Sequence, residues 1–237
     1  MRKIYLLILL ITSLSMTAWG LSIYDIQCTT FPGSDNTYPS QYAGKTVNTE
    51  GIVTATDFES GGFFLSEHIA GAYSGILVLD RTAAVRIGDR IRLSATVKES
   101  FGMTTLQDVT KLSIIERNHP LPHPVILTTA QLGRAVEAEA YEGVYARILS
   151  ISSSKVKSSR NSFSVSDGTG LCRIQLGSFA SAPQSLRKST QFSSITGIVS
   201  FSFGEFSLNP VSDSDIEVNQ PVSVQNRSWG KIKSIYK

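Results

Sequence analysis

This chain of 237 residues is poor in the groups that usually carry chemistry. It has two cysteines, Cys28 and Cys172, and three histidines. Two cysteines make no disulfide framework. Either they pair across the two halves of the chain in an oxidising compartment, or they are buried thiols acting as small apolar side chains. Charged residues stand at 17%, below the usual quarter. No His-Glu-x-x-His, Gly-x-Ser-x-Gly, phosphate-cradling glycine loop or carboxylate pair beside a histidine occurs. The expectation is a protein that is not an enzyme and takes no cofactor. His119 and His123 stand four apart, a ligand spacing on a helix, but Pro120 and Pro122 forbid that helix, so no metal site is expected. His68 stands alone and is expected on the surface.

Long apolar runs are missing too, with one exception at the start. Arg2 and Lys3 precede an apolar stretch from Ile4 to Leu14, and a small-residue ending closes at Ala18-Trp19-Gly20. This is the pattern of a secretory signal peptide, with cleavage expected after Gly20. A membrane span needs about 18–20 apolar residues, and Thr12, Ser13 and Ser15 interrupt this one. The remaining chain is expected to be secreted, whether extracellular, periplasmic or at the cell surface, with no transmembrane segment of its own. Cys28 follows Asp25-Ile26-Gln27, which is not a lipoprotein site.

The net charge of +3 is unevenly placed. Residues 21–118 carry −3, residues 119–218 are neutral, and residues 219–237 carry +4 through Arg227, Lys231, Lys233 and Lys237. A nucleic-acid binder usually shows a basic patch on its domain, so bulk charge argues against that role for the first half.

What the chain does have is a phrase used twice. Ser100-Phe101-Gly102 recurs as Ser202-Phe203-Gly204, and the match extends upstream. Tyr42-Ala43-Gly44 corresponds to Tyr141-Glu142-Gly143, "FFLSE" at 63–67 to "FSVSD" at 163–167, and Leu106 to Leu208, with an offset drifting only from 99 to 102. A constant order with small loop insertions implies a duplicated domain. Each unit is β in pattern. Ile91, Leu93, Ala95 and Val97 alternate with Arg90, Arg92, Ser94 and Thr96, the period of a half-buried strand. Five strands are expected at 46–57, 62–67, 74–80, 89–99 and 104–109, and five more at 143–154, 162–167, 171–175, 192–202 and 206–210. Residues 128–140 are expected to be helical, with Thr128 or Thr129 as N-cap. Alternating prolines at 120, 122 and 124 predict an extended, semi-rigid spacer. The resulting division is a signal peptide at 1–20, domain 1 at 21–118, a Pro-rich linker at 119–124, domain 2 at 125–218, and a linker with a basic tail at 219–237.

Five short strands, a long bent first strand and a Gly-bounded final hairpin fit a Greek-key barrel of the OB type. The expected fold class is all-β, two tandem five-stranded OB-fold barrels. The residues "SIYDIQ" at 22–27, "YAGKTVNTEGIVTA" at 42–55, "GGFFLSE" at 61–67, "GILVLD" at 75–80 and "VRIGDRIRLSATVKESFGMTTL" at 85–106 also resemble the OB-fold module of bacterial secreted endonucleases. The second unit matches mainly at "YEGVYARI", "FSVSDGTG" and "TGIVSFSFGEFSL". Cys28 and Ser94-Ala95 depart from glycines common in that family. In such nucleases a metal-dependent catalytic domain accompanies the module, and no such domain is expected in this chain. The closing "SWGKIKSIYK" resembles a terminal phrase of exported bacterial proteins, which implies a sorting or anchoring signal; a plain basic tail is the alternative.

An OB barrel offers the face of its second and third strands to a ligand, rimmed by the loops between strands 1 and 2 and between strands 4 and 5. In the first unit the former loop holds Asp57 and Glu59, which repel phosphate. In the second unit the corresponding loop holds Lys155, Lys157 and Arg160, with Arg173 on the adjoining strand. Aromatic candidates for base stacking are Phe63 and Phe163, which alternation places on one face, opposite Phe64; filling the barrel is the plainer reading of both. Phe101 and Phe203 either plug the barrel rim or project toward a ligand, the plug being plainer. The expected partner is single-stranded DNA or RNA, bound through domain 2. The alternatives are a surface module that binds protein or glycan, and an accessory subunit of a separately encoded nuclease.

Overall fold

The computed structural model describes residues 20–33, 37–58, 61–155, 161–177, 189–202 and 204–219. The first barrel is built from β1 (Thr46–Phe58), β2 (Gly62–Ser66), β3 (Gly75–Leu79), β4 (Arg90–Ser100) and β5 (Met103–Glu116). They close in the order β1-β2-β3-β5-β4, which is the OB arrangement. The parallel pairing of β3 with β5, at Leu77 with Thr105 and Val78 with Leu106, is the seam. The long β1 serves two neighbours in turn. Thr46 to Ile52 pair with β4, and Ile52 to Phe58 pair with β2 through two register shifts that bend the strand. The alternation of Ile91, Leu93, Ala95 and Val97 does what its period predicts, since all four face the barrel interior. There they meet Val47, Val53, Phe63, Leu65, Ile76, Val78 and Leu106.

A short helix, α1 (Ile23–Gln27), closes this core. Ser22 caps it in a capping box with Asp25, and Ile23 and Ile26 enter the core. Its Gln27 donates from Nε2 to the Gly75 carbonyl at 2.7 Å.

The second barrel follows with β6 (Val125–Ile126), α2 (Thr129–Gly133), α3 (Ala135–Ala138), a 3₁₀ turn at Glu139–Tyr141, β7 (Tyr145–Lys155), β8 (Ser162–Ser166), β9 (Cys172–Gln175), β10 (Gln191–Ser202), β11 (Glu205–Asn209) and β12 (Ile216–Val218). Strands β7 to β11 repeat the strand order of the first barrel, closed by the β7–β10 pairing, while β6 and β12 extend its edges. Hydrogen bonds repeat as well. Gly44 N–H donates to Val97 O and Gly143 N–H to Val199 O, both at 2.8 Å, and Lys45 and Val144 N–H donate to Tyr42 and Tyr141 O.

Observed strand limits lie within about two residues of expectation, with one exception. β5 runs on to Glu116 because Leu112 and Ile114 still pack on the first core while Lys111, Ser113 and Ile115 face outward. The expected helix over 128–140 is broken into α2, α3 and the 3₁₀ turn. Thr128 is its cap, in a capping box with Gln131.

The barrels do not stand apart on a spacer. Phe64 and Leu77, paired across β2 and β3, point out of barrel 1. With Ala55 and Met103 they form a third apolar cluster with Ile198 of barrel 2, flanked by Phe58, Leu79, Tyr145, Phe201 and Val211. Burying each large side chain there contributes about 1.5–3 kcal/mol, so direct packing overrides whatever stiffness residues 119–124 possess.

Candidate ligand-binding cleft

Strand pairing decides which side chains each barrel shows to the outside. In barrel 1 the outward pair at the middle of β2 and β3 is Phe64 with Leu77, and barrel 2 covers it. In barrel 2 the corresponding pair on β8 and β9 is Ser164 with Arg173. Ser162 and Gln175 lie beside it on the same face. That face stays open and forms a cleft of about 380 Å³, walled by α2 residues Leu132 and Gly133 and by Leu171 on one side and by Gly204, Glu205 and Phe206 on the other.

Arg173 is the cation among the residues lining the cleft. Its Nη1 donates to Oε2 of Glu205 at 2.5 Å. The Arg173 side chain is largely shielded while Glu205 is exposed, so the pair is partly screened and easily remade with an incoming anion. The α2 wall is braced by Asp167 in the β8–β9 turn. Burial alone would raise this carboxyl, but the hydroxyls and main-chain N–H groups of Thr129 and Thr169 hold it well below the usual carboxylate range. Asp167 thereby ties the turn to the start of α2. Cys172 lines the cleft from below, and burial pushes its thiol up to about 12, so it is no nucleophile. Cys28 and Cys172 are free thiols.

The sequence-derived candidates divide sharply. Arg173 lies in the cleft. Phe63 and Phe163 are corrections: at 1% and 2% exposure they fill the two barrel cores, Phe163 stacking on Phe192 at 5.9 Å, and neither offers a ring face to a ligand. The same alternation that put them on one face makes that face the interior. Phe101 is a correction of the opposite kind. It is no plug but stands 95% exposed at the tip of the β4–β5 hairpin, with φ +54°. The Lys155 main chain ends β7 opposite Ser164. Lys157, Arg160 and Phe203 lie outside the described residues, as do residues 1–19, where the signal peptide is expected, and the tail from residue 220. His68 is not alone, because its ring packs edge-on against His119 at 5.3 Å.

Sequence reasoning missed Glu205 as the partner of Arg173 and missed the α2 wall. The second had a signal in the two glycines at 133 and 170. A Cβ on Gly133 would stand 2.2 Å from Leu171 O, and one on Gly170 would press on Ala130, so both mark where α2 lies against the β8–β9 turn. Among the described residues no cluster of three or more His, Cys, Asp or Glu is placed to hold a metal ion. No described helix is long and apolar enough to cross a membrane.

No protein-family model matches the sequence, and no curated protein matches it. Solved structures with some likeness include the Ifi202 HINa domain in complex with double-stranded DNA, at 14% identity over 75% of this chain and 96% of that one, TM-score 0.33. Fission yeast Pot1 with single-stranded DNA follows at 11% identity, 82% and 89% coverage and TM-score 0.29. A deletion mutant of the single-stranded DNA binding protein from Thermus aquaticus stands at 10%, 76% and 97%, and 0.21. The OB assignment of this chain rests on its own two closed barrels and their strand order.

Proposed function

We propose that this is an exported, non-catalytic binding protein that holds single-stranded nucleic acid across the outer face of barrel 2. The observation that carries the reading is the contrast at equivalent strand positions. Barrel 1 has Phe64 and Leu77 there and is covered, whereas barrel 2 has Ser164 and Arg173 and is open. In sequence, the stretch from Lys155 to Arg160 that joins β7 to β8 holds Lys155, Lys157 and Arg160 without an acid, a charge that suits phosphate. Export rests on the signal-peptide pattern of residues 1–20, and an N-terminus at Leu21 in the exported protein is the expected mass-spectrometric result.

The test is fluorescence anisotropy of the mature chain with a labelled single-stranded oligonucleotide. Binding is expected to weaken steeply between about 50 and 200 mM salt and to be lost when Lys155, Lys157 and Arg160 are all changed to Glu. No binding at high micromolar protein in low salt would end this reading. A second reading is favoured by the Arg173–Glu205 pair and the serines around it, which suit a neutral polar ligand such as an oligosaccharide. Glu205→Gln separates the two: it frees Arg173 and raises oligonucleotide affinity by roughly 3–10-fold, while a neutral glycan gains nothing. A role as accessory subunit of a separately encoded nuclease predicts that a nuclease co-purifies with the exported chain.

A further inference from the structure

The junction between the barrels contains a carboxylate that packing alone does not explain. Glu142, just before β7, is 3% exposed. Its Oε1 accepts a hydrogen bond from the Thr104 N–H of barrel 1 at 3.0 Å, while Oε2 is enclosed with no hydrogen-bond partner. A buried carboxylate with an unpaired oxygen is costly when charged and far less so when protonated. The titratable groups facing it are Glu139 on the 3₁₀ turn and Glu99 at the end of β4. Glu99 is held by Ser40 N–H and the Thr104 hydroxyl. Glu139 in turn faces Tyr73, beside which lie Cys28, Tyr38 and Tyr141. The same segment is seated on barrel 1 by the Tyr73 N–H donating to Ala140 O at 2.5 Å.

We infer that this junction is a proton-dependent clasp: with Glu142 and Glu139 protonated, barrel 2 stays seated on barrel 1, and loss of those protons loosens the seat and uncovers the outer face of β2 and β3. That face carries Phe64, with Phe58 edge-on to it at 4.9 Å, and Leu77 and Met103. It is the position at which an OB barrel takes a ligand, so the clasp decides whether barrel 1 has an accessible face at all. The inference does not depend on what barrel 2 binds.

Burial first, and then Glu99, pushes Glu139 up to about 7. Burial first, and then Glu139, lifts Glu142 well above the usual carboxylate range, against the opposing hydrogen bond from Thr104. Both groups therefore hold protons in the seated state that they release when exposed. The Glu139 contribution is complete below about pH 4.5 and is lost as pH rises through about 7, and the raised Glu142 carboxyl acts in the same direction.

The experiment is hydrogen–deuterium exchange on the mature full chain at about pH 5.5 and about pH 8, normalised for intrinsic exchange. Protection of the β2 and β3 amides is expected to fall about tenfold or more at the higher pH. Glu142→Gln keeps an acceptor for Thr104 N–H without a charge, and is expected to retain protection at pH 8. Glu139→Gln, at a more accessible site that tolerates change, removes part of the pH dependence and serves if the first variant folds poorly. Equal normalised protection at both pH values in the unaltered chain overturns the clasp, as does an unaltered pH profile in both variants.

Discussion

The Gly143 carbonyl of barrel 2 occupies the place where a side chain on Gly75 of barrel 1 would begin. A Cβ built on Gly75 would stand 2.1 Å from that oxygen, and one on Gly143 would stand 2.8 Å from the Gly75 carbonyl carbon. Main chain meets main chain here, and the apolar cluster of Phe64, Leu77 and Ile198 closes around the contact.

Gly143→Ala is expected to destabilise the protein by about 2–4 kcal/mol, combining a left-handed backbone with this clash. Gly44 gives the control, with φ +79° against +72° for Gly143 but nothing within 4 Å of an added Cβ. Gly44→Ala is expected to cost only about 1–2 kcal/mol. Urea unfolding measures both, and equal losses would show that the inter-barrel contact contributes nothing.

Phe101 and Gly102 form a two-residue hairpin turn with both φ angles positive, +54° and +85°. Such turns favour Asn-Gly, and a bulky aromatic at the first position is strained. Since Phe101 is nearly fully exposed, Phe101→Asn removes strain and little packing. The melting temperature is expected to rise, by about 2–4 °C for each kcal/mol relieved in a chain of this size. A fall would mean that the ring makes a stabilising contact.

The two thiols should react at very different rates. Cys28 is partly exposed and Cys172 is buried beneath the cleft with its thiol pushed up to about 12. A chromogenic disulfide reagent at neutral pH is expected to titrate one thiol in the folded protein and both in denaturant. Two fast thiols in the folded state would contradict the burial of Cys172.

Thr129 is fully buried, and its hydroxyl donates to Asp167 Oδ1 at 2.6 Å. Thr129→Val leaves that carboxylate short of a donor and is expected to cost about 1–3 kcal/mol at neutral pH. The sign with pH follows from the lowered Asp167 carboxyl. Its contribution is present above the ordinary carboxylate range and lost as pH falls below it. The gap between variant and parent should therefore narrow in acid, as read from denaturation midpoints at several pH values.

Much of the architecture was legible because each signal was local. Period-two alternation on β4 set its inward face, and the shared Tyr-x-Gly phrase marked equivalent corners that the Gly44 and Gly143 hydrogen bonds reproduce. The broken helix was misread because "TTAQLGRAVEAEA" has good helix formers throughout, yet Gly133 lies against Leu171 and ends α2 there. The fate of the two outer faces was not legible. Phe64 beside Phe63 looks the same whether the second ring meets solvent, ligand or another barrel. The choice is made by Ile198, more than 130 residues away in the chain. The pairing of Arg173 with Glu205 is hidden for the same reason, since β9 and β11 meet only when the barrel closes.

The apolar cover over Phe64, Leu77 and Met103 also bears on how the chain can be divided. A cut at the prolines between residues 119 and 124 looks safe on the primary structure, yet it would leave the first half with a greasy flank exposed to water and the second with Ile198 bare. During synthesis the first barrel is complete long before the residues that shield it exist. Separate expression of the halves is thus expected to favour self-association, because each half would carry into water an apolar surface that the other covers.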